Sequence, residues 1–148
     1  METYHFDIDP PTSTHQSALR VMQRKGGGSF VGKYTKSDVK RWENTFRHLL
    51  RAKKPKFPIA CGTPVRLVFG LFYKPPKSRP SPEITWKVTK PDADNVVKVM
   101  MDALVEEGYI ATDQQVADLR VMKMEWDRGG FVEVMIGEAN PWLDTPKG

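Results

Sequence analysis

The feature that most constrains the fold is residues 64–73, a segment with hydrophobic side chains on both faces of a predicted strand. Its apolar side chains alternate between the faces: Val65, Leu67, Phe69 and Leu71 on one, and Val68 and Phe72 on the other. The only charged residue in the segment is Arg66. We therefore expect both faces of this strand to be largely buried.

Two amphipathic helices are predicted, one on each side of this strand in the sequence. The first begins at Thr35 or Ser37, either of which can cap it, and its apolar residues recur mostly at intervals of three and four up to residue 50. The second covers residues 94–107 and ends at Gly108. One face of the second helix is apolar, and the other carries polar residues four apart: Asp94, Lys98 and Asp102.

The remaining segments predict further strands and loops. Residues 4–8 form a short strand that stops at Pro10-Pro11. Residues 115–125 and 131–136 are predicted as a hairpin joined through the turn at 126–130. Residues 16–34 are basic and contain three consecutive glycines, which favour a flexible loop.

These elements predict an α+β (mixed α/β) fold, a single small domain in which a mixed sheet is packed by two main helices. We expect the domain to cover residues 1–137, followed by a flexible tail at 138–148. The 148-residue length fits one domain with a modest core. A single cysteine, Cys61, excludes an internal disulfide, and we expect it to be buried near a strand.

Neither a membrane span nor a secretory signal is predicted, and we expect a cytoplasmic protein. The net charge of +5 favours a polyanionic partner, because Lys and Arg neutralise phosphates. The proline-rich segment 74–83 is basic enough to contact a phosphate backbone. Of the four tryptophans, Trp86 is the best candidate for stacking on unpaired bases.

Acidic residues gather around the second helix. Asp92 and Asp94, two apart at its entrance, would point the same way in an extended approach, and Asp113 supplies a third carboxylate. Mg²⁺ prefers carboxylate oxygens, and Lys98, one turn beyond Asp94, can hold a phosphate oxygen. Taken singly, these residues also fit helix caps, a helical ion pair and a turn.

The string KPDADNVVKVMMDAL (90–104) followed by TDQQVADLRVMK (112–123) resembles the RusA family of Holliday junction resolvases. The family pattern joins a K/R-P-D-x-D-N-x-x-K helix start, a D-A-L further along and a D-x-Q-V strand entry, all present here in order. The resemblance implies that Asp92, Asp94 and Asp113 bind the metal and that Lys98 is essential for catalysis. Asn95 and Asp102 also occupy motif positions.

Two positions depart from the family pattern. Members often have two adjacent acids before the Q-V pair, whereas Thr112 precedes Asp113 here. Residues 12–15 follow the prolines with Thr, Ser, Thr and His, where the family usually has a Ser and an Asn.

The resemblance implies a Mg²⁺-dependent endodeoxyribonuclease, with Mn²⁺ as a substitute ion, that resolves four-way junctions as a homodimer in a bacterial or phage-infected cell. Paired symmetric nicks suit two sites related by a dyad. The predicted DNA contacts are Lys74, Lys77, Arg79, Lys90, Asn95 and Lys123. Two alternatives stay open: a protein that binds branched DNA without cleavage, and a nuclease for flaps or forks.

Overall fold

The computed structural model describes residues 1–12, 18–23, 25–34, 37–55 and 58–144, and these contain seven strands and three helices. The strands are β1 (Glu2–Phe6), β2 (Ala18–Gln23), β3 (Ser29–Tyr34), β4 (Val65–Tyr73), β5 (Thr85–Trp86), β6 (Val116–Glu125) and β7 (Phe131–Glu138). The helices are α1 (Ser37–Ala52), α2 (Ala93–Glu106) and the single turn α3 (Pro141–Asp144). No helix of this described part has the length and apolar content needed to cross a membrane.

Strand β4 lies at the centre of a five-stranded sheet with the order β1-β7-β4-β6-β5. It pairs antiparallel with β7 and parallel with β6, so that Leu67 lies between Ile136 and Leu119. The core side of β4 packs with α1 and α2, whose buried residues include Phe46 and Met100. The prediction of an α+β domain with a mixed sheet and two main helices is confirmed, and so is the burial of β4.

The predicted hairpin between β6 and β7 is wrong, because β4 lies between these two strands. Their connection crosses the end of β4 instead: Trp126 N donates to Tyr73 O, and Gly130 N donates to Phe72 O. At Gly129, an added Cβ would lie 2.7 Å from Tyr73 O. A glycine is therefore required where the connection passes over the β4 backbone.

The flexible loop predicted at residues 16–34 is also wrong for the described part of that segment. β2 and β3 pair antiparallel, with Val21 opposite Val31. Gly26, Gly27 and Gly28 have φ values of 97°, 104° and 80°, so they supply the left-handed backbone that reverses the chain. The glycines thus form a tight turn.

Several sequence boundaries shift slightly. α1 begins at Ser37, and Thr35, the other predicted cap, lies outside the described residues.

The predicted burial of Cys61 is wrong, because this residue is exposed in a turn. Ordered structure continues past residue 137 through the end of β7 and α3, and residues 145–148 lie outside the described part. The flexibility of the tail stays a prediction.

Glu107, just after α2, joins α2 to α1 through two arginines. It accepts hydrogen bonds from Arg47 Nε (3.1 Å) and from Arg51 Nε and Nη2 (3.1 and 2.9 Å), and its side chain is only 7% exposed. The hydrogen bonds from Arg51 are the largest cause of a lowered pKa of Glu107, and Arg47 lowers it further against the opposing effect of burial. The ionised carboxylate therefore stabilises the contact between the helices.

We predict that Glu107→Gln lowers Tm at pH 7 by roughly 2–4 °C, because the amide loses the charge-assisted hydrogen bonds. The folded pKa lies below the ordinary value of 4.5, so the stabilisation is complete above pH 4.5 and is lost as pH falls through the folded pKa. The difference in Tm between wild type and Glu107→Gln should therefore shrink as the pH falls from 7 to 3. Glu106→Gln, at an exposed neighbouring carboxylate, is the control. A Tm difference between wild type and Glu107→Gln that stays constant across this pH range would contradict the prediction.

Candidate acidic active site

Helix α2 is the crossover that a parallel β4–β6 pair requires, and this fixes where its two ends lie. The chain leaves the end of β4, passes through β5 and returns along α2 to the start of β6. The beginning of α2 therefore lies near the end of β6, and the end of α2 lies near the beginning of β6. A helix of 14 residues is about 21 Å long.

Asp92 and Asp94 lie at the beginning of α2, and both are exposed. Asp92 is the N-cap residue, with φ −69° and ψ 139°, but its side chain makes no capping hydrogen bond. The simple cap interpretation therefore does not account for its carboxylate. Exposed helix N–H groups at this end favour an anion such as a phosphate.

Lys98 is exposed one turn beyond Asp94, in the polar stripe that the sequence predicts. The interpretation that it pairs with Asp94 or Asp102 finds no support, because the described residues show no such ion pair. The apolar arc of α2 is confirmed by the buried residues Val96, Val97, Val99, Met100, Ala103 and Leu104. Packing thus holds α2 so that Lys98 faces solvent.

Asp113 lies at the other end of α2, in the 3-10 turn Asp113–Gln115 that leads into β6. It lines a cleft together with Asp102, Glu106 and Arg47. Asp92 and Asp94 do not line this cleft. One chain therefore places Asp113 near the last turns of α2 and the other two predicted ligands near its first turn.

No group of three or more His, Cys, Asp or Glu side chains in the described part of the chain is arranged to hold a metal ion. The oxygen donors suit Mg²⁺ in chemistry, since hard divalent cations prefer carboxylates. The arrangement within one chain, however, divides the set into Asp92 with Asp94 at one end and Asp113 at the other. The three-residue metal site stays a prediction.

Lys123 of β6 fixes the segment that leads into Asp92. Its Nζ donates to Thr89 O (2.7 Å) and Pro91 O (2.5 Å), and Lys87 N donates to Lys123 O (2.9 Å). The sequence suggested a DNA contact for Lys123, which stays a prediction. Its hydrogen bonds identify a positioning function that no local pattern signals, because the partners are backbone carbonyls more than 30 residues away in sequence.

Arg79, another predicted DNA contact, anchors the proline-rich loop to β6. Its Nη2 lies 3.2 Å from a carboxylate oxygen of Glu125, which is buried, and Lys87 Nζ lies 3.9 Å from the same carboxylate. The other predicted contacts lie on the surface or near it: Lys74, Lys77 and Lys90 are exposed, and Asn95 is half-buried. Their contacts with DNA stay predictions.

Gln115 fixes the turn that carries Asp113. Its buried side-chain Oε1 accepts hydrogen bonds from Ala111 N (2.7 Å) and Thr112 N (3.0 Å), while Nε2 donates to Ala60 O (3.1 Å) and Thr63 O (3.0 Å). One amide thus satisfies four backbone groups from two loops. These hydrogen bonds explain why a glutamine stands two residues after Asp113. The sequence alone did not assign this positioning function to Gln115.

Comparisons with known proteins place these residues in a family. The model of the family Endodeoxyribonuclease RusA matches residues 10–137. Crossover junction endodeoxyribonuclease RusA of Escherichia coli (strain K12) is 45% identical over 47 residues, which are 32% of this chain and 39% of that protein. This chain thus spans well under half the length of that relative. Crossover junction endodeoxyribonuclease rusA of Lactococcus phage r1t is 26% identical over 136 residues, 91% of this chain and 96% of that protein.

We predict that Gln115→Leu lowers the free energy of unfolding by about 3 kcal/mol, since it leaves buried backbone donors and acceptors without partners. Urea unfolding measures the loss. Hydrogen exchange should accelerate most at the amides of Ala111 and Thr112. Gln114→Leu, at the exposed neighbouring residue, is the matched control, and equal stability of the two variants would refute the assignment.

Proposed function

Because the chain belongs to the RusA family of endodeoxyribonucleases, we propose that it is a Mg²⁺-dependent endonuclease that resolves four-way DNA junctions by paired symmetric nicks. Mn²⁺ is the expected substitute ion, and the expected setting is the cytoplasm of a bacterial or phage-infected cell during recombination or repair. The observation that carries the proposal is the beginning of α2. There, Asp92 and Asp94 are exposed without ion-pair partners among the described residues, one turn from the equally exposed Lys98.

The chemistry follows from the charges that these residues present. Mg²⁺, when bound, supplies an activated water and neutralises charge on the phosphate. Asp92 and Asp94 provide hard oxygen ligands, and the α2 N-terminus provides N–H groups that favour a phosphate oxygen. Lys98 places an ammonium within reach of the same phosphate, where it stabilises charge that develops in the transition state. Lys123 keeps the Asp92 segment against β6.

The separation of the carboxylates supports the proposed homodimer. Asp113 lies near the end of α2, roughly 15–20 Å from Asp92 by the rise of a helix. A second copy packed with its α2 antiparallel to the first would bring its Asp113 towards Asp92 and Asp94 of the first copy. The polar stripe suits this arrangement, because it is exposed along the whole helix. Two equivalent sites would result, as two symmetric nicks require.

The basic surface supplies the proposed contacts with DNA. Lys74 and Lys77 in the proline-rich loop and Lys90 before α2 are exposed, whereas Arg79 holds that loop to β6. Phosphate contacts of this kind position the DNA without selecting a sequence. A junction-binding protein without cleavage is the second candidate, favoured by Thr112 at the position where many family members carry a second acid.

We predict that Asp92→Asn and Asp94→Asn each reduce cleavage of a synthetic mobile four-way junction by about 100-fold or more, because a carboxylate ligand is lost. Binding of the junction in EDTA should not weaken, since no attractive contact with DNA is removed. Glu138→Gln, at an exposed carboxylate on β7, controls for the loss of a charge. If wild type binds the junction but never cuts it with Mg²⁺ or Mn²⁺, the binding-only candidate is correct.

The shared site predicts complementation between two inactive variants. In the proposed dimer, each site takes Asp92 from one copy and Asp113 from the other. When an Asp92→Asn chain pairs with an Asp113→Asn chain, both substitutions therefore fall in one site and the other site is intact. A supercoiled plasmid with an extruded cruciform should therefore be converted to the nicked circle, while either variant alone leaves it intact. If each site lies within one chain, the heterodimer has no complete site and produces no nicks.

A further inference from the structure

Three large apolar side chains are exposed at alternate positions just before the proposed active site. Ile84, Trp86 and Val88 are 51%, 64% and 90% exposed. Exposed apolar residues are ordinary when single, but a contiguous stripe of three marks a binding surface. The sheet topology explains why they share a side.

The stripe lies at the edge of the sheet and faces away from α1 and α2. β5 is the outermost strand next to β6, and Trp86 pairs with Met124. The alternate residues lie on the face that α1 and α2 cover: Thr85 pairs with Glu125 and its Oγ1 lies 3.1 Å from Ser81 Oγ, and Lys87 lies over the Tyr73 ring at 5.0 Å. Trp86 therefore stands on the opposite face of the sheet.

That face continues as an aromatic surface. Met124 is followed across the sheet by Phe72 on β4. The rings of Phe72 and Phe131 stack at 4.3 Å, and Trp126 lies 6.3 Å from Phe72. These residues shield one another and are half-buried, whereas Trp86 leaves its ring to solvent. A sheet face with aromatic rings is a common platform for unpaired bases.

The charges around the stripe favour nucleic acid over a second copy of this chain. Lys90, two residues beyond Val88, and Arg120, on the same face of β6 as Met124, are exposed, while Glu83 beside Ile84 carries the opposite charge. Phosphates would be attracted to these cations, whereas two copies docked through the stripe would bring like charges together. Trp86 also precedes Asp92 by only six residues, at most about 21 Å of chain, or about six nucleotides of one strand. Lys123 holds the intervening segment to β6, so the stripe and Asp92 are fixed relative to each other.

We propose that Trp86, flanked by Ile84 and Val88, is a stacking platform for a base left unstacked at the branch point of branched DNA, within about six nucleotides of the cleaved phosphate. This assignment rests on the proposed endonuclease function. It makes the stripe a determinant of specificity: a four-way junction offers unstacked bases at its branch point, whereas an intact duplex keeps its bases stacked. Discrimination between the two is the consequence.

The test uses the full chain in EDTA, with junctions that carry 2-aminopurine at successive positions around the branch point. Wild type should quench the fluorescence at one or a few positions. Trp86→Ala should abolish that quenching and weaken junction binding about 10-fold, with duplex binding unchanged. Trp86→Phe should retain most of the affinity, because it keeps an aromatic face. Trp142→Ala is the matched control, since Trp142 is 86% exposed on α3, outside the stripe.

Two results would overturn the proposal. In the first, Trp86→Ala binds and quenches like Trp142→Ala. In the second, sedimentation shows that Trp86→Ala separates a wild-type dimer into monomers while quenching persists, which would make the stripe an interface between copies. Quenching by wild type without cleavage under Mg²⁺ would count against the endonuclease only, and cleavage without any Trp86-dependent quenching would count against the stacking platform only.

Discussion

The burial of β4 on both faces and along both edges is the constraint on which the rest of the structure depends. At the edge of the sheet this strand would leave backbone N–H and C=O groups unpaired; instead β6 and β7 pair with its two edges. The antiparallel neighbour and the parallel neighbour are reached by different connections. The 126–130 connection has to cross the end of β4, and the parallel pairing of β4 with β6 requires α2 as a crossover.

The candidate site inherits its geometry from that crossover. Since α2 runs back against the direction of β4 and β6, its two ends lie at opposite ends of the sheet. Each end is held to β6 or its neighbouring loops: Lys123 binds the segment before Asp92, and Gln115 binds the turn that contains Asp113. The carboxylates are therefore rigidly placed but divided. In the proposed homodimer, a second copy of the chain would bring the divided carboxylates together.

Some basic residues of this chain stabilise the fold, and others are free to contact phosphates. Their positions in the sequence do not distinguish the two groups. Arg47 and Arg51 bind Glu107 between the helices, Arg79 binds the buried Glu125, and Lys123 binds backbone carbonyls. Their charges contribute to the net charge of +5, yet each of them donates at least one hydrogen bond within the fold. Other cations make no such bond among the described residues and are exposed to a phosphate backbone: Lys77 and Lys90 on loops, and Lys98 on α2.

The sequence by itself determined what depends on neighbours along the chain. The spacing of Val96, Met100 and Leu104 predicts α2, the apolar run at β4 predicts a buried strand, and the ordered motifs from Lys90 to Lys123 indicate the family. It failed where the outcome depends on residues far apart in sequence. The hairpin proposed through 126–130 ignored β4, which pairs with β6 on one edge and with β7 on the other. Likewise, no spacing rule could show that Lys123 binds Pro91 or that α2 holds Asp92 away from Asp113, because only the packing of the sheet decides which distant groups meet.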